Sequence, residues 1–252
     1  MLYTILDIET TGLMQFDSNA ELIPDLLEVA YILVDSSTLR IIKGGTLYFY
    51  QHHFDIENDA QMIHKLDRKF LMQFEDQFEE NLIALAALTT NAVIMGKNSK
   101  KFDIPFIKHF LEKYKGKMYD IGDITSRVAM KNYDKSGYIY HESNVTHIDI
   151  QDWYAPVYRV KKFLSEIGEI GTFYDKSFTL AKFNEIHEGT DKRKRGSLTD
   201  YIDSIPDGRK MTQQLYDTIP KERETVEHGA LYDVCMTYVV YLDYILLKGR
   251  LK

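Results

Sequence analysis

Leu2-Tyr3-Thr4-Ile5-Leu6-Asp7-Ile8-Glu9-Thr10-Thr11-Gly12-Leu13 opens as an apolar run and ends on two acids two residues apart. Leu2–Ile8 reads as a short strand. Side chains alternate along a strand, so Asp7 and Glu9 point to the same face. Two carboxylates on one face at the end of a buried strand repel each other and lose hydration. A strand end reaching solvent would account for them blandly. Hard divalent cations bound through oxygen account for them directly.

Working outward, Leu26–Asp35 and Leu39–Tyr50 are two further β-rich runs. Ser36-Ser37-Thr38 between them is a short polar turn, so the pair reads as a hairpin and the first three strands as antiparallel. The period then changes. Glu75–Thr89 and Ile104–Tyr114 carry apolar residues at helical spacing, with the short strand Ala92–Met95 between them, and Gly229–Leu247 is a long helical pattern. Met118–Ile121 and Thr146–Ile150 both suit the strand that follows the second helix, and Met118–Ile121 is the one preferred. The order β-β-β-α-β-α-β, a middle region and a last helix specifies an α/β fold, a mixed sheet flanked by helices.

The chain has 252 residues and a net charge of −7, which argues against coating DNA by bulk charge. A local basic path for a strand remains open. The single cysteine, Cys235, excludes a disulfide framework and a thiolate zinc site. No signal-peptide pattern opens the sequence, and Met236–Leu247, interrupted by Asp243, is too short to span a bilayer. The expected setting is cytoplasmic, with no membrane partner. In the middle region, about 125–196, the run Lys192–Arg195 reads as a solvated loop or as a phosphate-contacting arm. Tyr138, Tyr140, Trp153, Tyr154 and Tyr158 read as an aromatic core or as a surface for stacking on bases.

Two more acidic motifs follow. In Gly96-Lys97-Asn98-Ser99-Lys100-Lys101-Phe102-Asp103-Ile104-Pro105-Phe106, Asp103 stands at a helix start with Pro in the first turn. That is a place for an N-cap, and an N-cap carboxylate still offers an oxygen outward. In Glu227-His228-Gly229-Ala230-Leu231-Tyr232-Asp233, Asp233 lies one turn into the last helix among apolar neighbours, where a carboxylate needs a partner or a metal. His228 sits in the approach to that helix.

Asp-x-Glu on a first strand, Asp before a middle helix and His-x4-Asp at a last helix occur in this order. In this the chain resembles the DEDDh 3′→5′ exonucleases of the ribonuclease-H-like fold, over Met1–Ile121 and Ser197–Leu247. That family includes proofreading subunits of replicative polymerases, oligoribonucleases and phage exonucleases. The resemblance implies one exonuclease domain over residues 1–252, with an α/β or β-rich insertion at about 125–196. Asp7, Glu9, Asp103 and Asp233 match the four acidic ligands of two Mg²⁺ or Mn²⁺ ions, and His228 matches the general base. Thr10, Thr11 and Leu13 match positions around the terminal nucleotide.

His64, in Met62-Ile63-His64-Lys65-Leu66, matches a substrate-side segment in which Lys65 replaces the usual Gly. Asn98 stands five positions before Asp103 rather than four, so the second motif looks like that of B-family polymerases, while the third is of the His type. The activity implied is release of nucleoside 5′-monophosphates from the 3′ end of single-stranded DNA, as in proofreading during DNA replication. With no polymerase domain in the sequence, proofreading would be done in trans beside a DNA polymerase. The alternatives are an exoribonuclease or oligoribonuclease of the same superfamily, and a non-catalytic nucleic-acid-binding or assembly factor.

Overall fold

The computed structural model describes residues 2–13, 24–90, 92–100, 102–114, 130–134, 137–140, 147–175, 177–224 and 229–250. These fall into two compact units, Met1–Ile148 with Ile219–Val234, and Asp149–Thr218 with Cys235–Lys252.

The first unit is built on a five-stranded sheet. β1 (Leu2–Thr10), β2 (Leu26–Asp35) and β3 (Ile41–Tyr48) run antiparallel. β4 (Val93–Gly96) lies parallel to β1 on its other side. β5 (Met130–Asp134) and β6 (Gly137–Tyr140) form a separate antiparallel pair, and β7 (His147–Asp149) completes the main sheet in the order β3-β2-β1-β4-β7. The mixed sheet is the one the sequence pattern predicts, with one correction. The strand beside β4 is β7, within the candidate Thr146–Ile150, whereas the preferred Met118–Ile121 lies outside the described residues. Both candidates are short runs of mixed polarity, and only the pairing partner separates them.

The burial of β1 follows its alternation. Leu6, Ile8 and Thr10 are buried, while Asp7 and Glu9 between them are partly open. Apart from Glu28 and the terminal Asp35, β2 is apolar on both faces because both are covered. On one face α3 (Phe78–Thr90) and α4 (Asp103–Tyr114) bring Leu82, Leu85, Phe106 and Phe110 against Leu6, Ile8 and Val29. A second cluster gathers Leu27, Tyr48 and Tyr50 with Leu66, Leu71 and Phe74, contributed by the stretch holding α1 (Asn58–His64) and α2 (Arg68–Leu71).

The second unit is helical: α5 (Ile150–Glu166), α6 (Ile170–Tyr174), α7 (Leu180–Glu188), α8 (Leu198–Asp203), α9 (Gly208–Thr218) and the later part of α10 (Ala230–Arg250). Tyr154 and Tyr158 are buried on α5 and pack on Tyr201, and Trp153 stacks on Tyr244. Tyr154 and Tyr158 are therefore helix-borne core, whereas Trp153 is half-buried and Tyr138 and Tyr140 lie on β6. Lys161, only 1% exposed, pairs with Asp243 at 2.8 Å and donates to Tyr154 Oη at 2.8 Å. Lys192–Arg195 is an exposed loop. α10 is longer than the apolar stretch the sequence suggests. By length and composition Ala230–Gly249 would cross a membrane, but most of it is buried within the protein, as in a core helix.

Candidate active site

Three distant stretches deliver carboxylates to the carboxyl end of β1. Asp7 and Glu9 come from β1 itself. β1 runs beyond its ladder with β4, which pairs Tyr3, Thr4 and Ile5 with Val93, Ile94 and Met95. The Ile8 amide past that ladder donates to Asp103 Oδ1 at 3.2 Å. Asp103 is buried in the first turn of α4, so this bond ties the start of α4 to the strand bearing Asp7 and Glu9. Asp233 stands in the first turn of α10, among buried Ala230, Leu231, Val234 and Cys235.

The charges share one field. Loss of water around Asp7 pushes its carboxyl well above the usual range, and Asp103, Asp233, Glu9 and Glu28 push it further. Burial likewise raises Glu9, helped by Glu28, Asp233 and Asp103, while the Arg223 guanidinium opposes them. A cluster of this kind favours cations. Among the described residues no three acidic, imidazole or thiol groups converge closely enough to ligate an ion as they stand. By chemistry the donor set fits hard divalent cations: it is all oxygen, anionic and drawn to one end of one sheet.

Around this set the backbone is closely held. The pairing of β1 with β2 shifts register between Glu9 and Thr10. Thr10 Oγ1 donates to the Gly12 carbonyl at 2.6 Å. Thr11 exchanges bonds with Asp25, N–H to O at 2.9 Å and Asp25 N–H to Oγ1 at 2.8 Å. The Glu57 amide donates to the Thr11 carbonyl at 2.8 Å, and a Cβ at Gly12 would collide with the Glu57 carboxyl. Thr10 and Thr11 are thus buried, whereas Leu13 beside them is 69% exposed.

Asn98 is exposed and left-handed at φ 57°, a conformation Asn tolerates, in the turn that leads to Asp103. In the same turn Ser99 Oγ meets His147 Nε2 at 2.9 Å, linking it to β7. His64 is 3% exposed. Its Nδ1 accepts from the Leu66 amide at 3.0 Å, which leaves the proton of the neutral ring on Nε2. Burial and the nearby Arg223 charge bring its pKa down to about 4. The ring serves the turn from α1 to α2. His228 lies outside the described residues.

Two residues join the site that the sequence pattern did not single out. Glu28, on β2, is directly across the ladder from Glu9. It is fully buried, and Arg223 Nη2 donates to its Oε2 at 2.9 Å. A lone acid inside the apolar run Leu26–Val34 was the one available signal.

No protein-family model matches the sequence, and no curated protein matches it. Solved structures do. The nuclease domain of 3′hExo, a DEDDh family member bound to rAMP, aligns at 11% identity and TM-score 0.52, covering 100% of this chain and 94% of that one. E. coli exonuclease I with a dA16 oligonucleotide aligns at 15% identity and TM-score 0.51, over 94% of this chain and 39% of that one. A zinc-bound form of the same E. coli enzyme with single-stranded DNA aligns at TM-score 0.50 and 15% identity, over 98% of this chain and 40% of that one. The chain thus spans about two fifths of the E. coli protein it matches. The present structure shares its fold with these exonucleases.

Proposed function

We propose that this protein is a divalent-cation-dependent hydrolase that removes nucleotides from the 3′ end of single-stranded nucleic acid, DNA in preference to RNA. The observation that carries this reading is the shared field of Asp7, Glu9, Asp103 and Asp233, four acids drawn from three separate stretches onto one end of β1. Such a set is costly to fold and repels phosphate unless cations are present, so a pure binding role does not account for it.

Asp7, Glu9, Asp103 and Asp233 are the residues that would hold two Mg²⁺ or Mn²⁺ ions. When bound, such ions polarise the scissile phosphate and lower the pKa of the attacking water. His228, five positions before Asp233, is assigned as the base that takes a proton from that water, since imidazole titrates near neutrality. Attack at phosphorus breaks the bond to the 3′ oxygen and releases a nucleoside 5′-monophosphate. Leu13, exposed beside the acids, is assigned to contact the terminal base. The held backbone at Thr10 and Thr11 presents that residue, and Asn98 borders the approach to Asp103. His64 is assigned a positioning role behind the Thr10–Leu13 turn rather than contact with substrate, because its ring is buried. We place the activity in the cytoplasm, beside a polymerase working in trans.

A second reading, an exoribonuclease, is favoured by the rAMP bound to the 3′hExo nuclease domain. Matched 5′-labelled DNA and RNA strands, digested singly and in competition with Mg²⁺ or Mn²⁺, test both. The expected result is a ladder shortening from the 3′ end, abolished by EDTA, with DNA consumed first. RNA consumed first would select the second reading, and binding of either strand without cutting would overturn both.

A further inference from the structure

Glu28 is 0% exposed near the start of β2, and β-ladder register sets it opposite Glu9. Like charges directly opposite on antiparallel strands repel. Glu28 is also the foremost charged neighbour raising Glu9. A fifth acid so close to four proposed cation ligands would join them unless something held it apart.

Arg223 does so. Its Nη2 donates to Glu28 Oε2 at 2.9 Å, its Nη1 donates to the His64 carbonyl at 3.0 Å, and the guanidinium lies 5.7 Å from the centre of the Phe70 ring. The side chain is only 15% exposed. β2, the end of α1 and the stretch that runs toward α10 therefore meet on one planar fork, all inside the same compact unit. A guanidinium makes two such directed bonds at once, which an ammonium on a flexible stem does not reproduce.

We propose that Arg223 is a positioning residue for the acid set: by binding Glu28 it keeps the β2 carboxylate apart and leaves Glu9 free for a divalent cation. The inference rests on the two-cation reading above. The test is Mn²⁺ binding to the full chain by calorimetry, beside thermal melting in EDTA to confirm folding.

Glu28→Gln turns the guanidinium, now without its counter-charge, onto Glu9, and Mn²⁺ affinity should fall about tenfold or more. Glu28→Gln with Arg223→Met removes both charges and should return to within about threefold of wild type. Arg223→Lys keeps the counter-charge, so affinity should hold within about threefold while the melting temperature drops with the lost second bond. A role confined to stability would lower melting in every variant and leave the affinity of the folded protein unmoved. Unchanged affinity in Glu28→Gln, or no recovery in the double variant, would overturn the assignment of Arg223 alone. A wild-type protein that binds no Mn²⁺ would overturn the two-cation reading and this inference with it.

Discussion

At Asp7 function and stability pull in opposite directions. Burial and four neighbouring acids penalise its charge, and the neutral isostere Asn removes that penalty. Asp7→Asn should therefore melt higher than wild type in EDTA at pH 7, by about 2–4 °C for each kcal/mol released. The same substitution should lower turnover by about a hundredfold or more. A variant that melts lower and still cuts would refute the placement of Asp7 in the acid set.

His64 has the opposite sign. Its folded pKa is down at about 4 from an ordinary 6.5, so in that interval the unfolded chain binds a proton that the folded one does not. Its contribution is complete above about pH 6.5 and is lost as pH falls toward 4. Urea unfolding of wild type and His64→Asn should show their stability difference shrinking over that window by up to about 3 kcal/mol. A difference independent of pH would contradict the buried neutral ring. Asp7, Glu9, Asp103 and Asp233 were readable because strand alternation and helix starts are local features. Arg223 was not: its partners, Glu28 and the His64 carbonyl, lie 195 and 159 positions away, and no local pattern joins them.

At the scale of elements, the turn after α1 explains a departure in the sequence. Lys65 caps α1 in the left-handed conformation, φ 59°, and its amide bonds to the Gln61 carbonyl. A side chain there costs about 1–2 kcal/mol, part of which glycine would return to the unfolded chain as entropy. Lys65→Gly should stabilise the protein by about 0.5–1 kcal/mol in chemical denaturation. A loss of stability would mean that the lysine side chain contributes contacts of its own. Strands β1, β2 and β3 were legible because turn residues bracket alternating or apolar runs. β7 was harder to choose, since its three residues carry no periodicity and only their pairing beside β4 identifies them. In the middle stretch, Trp153, Tyr154 and Tyr158 all lie on one amphipathic helix, α5, and Tyr154 and Tyr158 take the core alternative.

The molecule has a sheet unit that bears the acids and a helical unit with a polar centre of its own. Lys161, Asp243 and Tyr154 form that centre, with Tyr154 Oη donating to Asp243 Oδ2 at 2.6 Å. Lys161→Met would leave Asp243 without its cation and should cost about 3 kcal/mol in thermal or urea unfolding. A loss below 1 kcal/mol would show the pair to be replaceable by packing alone. The fold as a whole follows from patterns the sequence displays openly, whereas the activity rests on acids whose meaning depends on being brought together. The most direct measurement is digestion of a 5′-labelled single-stranded DNA in Mn²⁺ by wild-type and Asp233→Asn protein, both confirmed folded by circular dichroism. Wild-type protein should shorten the strand stepwise from its 3′ end and release nucleoside 5′-monophosphates, and Asp233→Asn should leave the strand intact. Equal shortening by both proteins would contradict the assignment of the acid set as the catalytic centre.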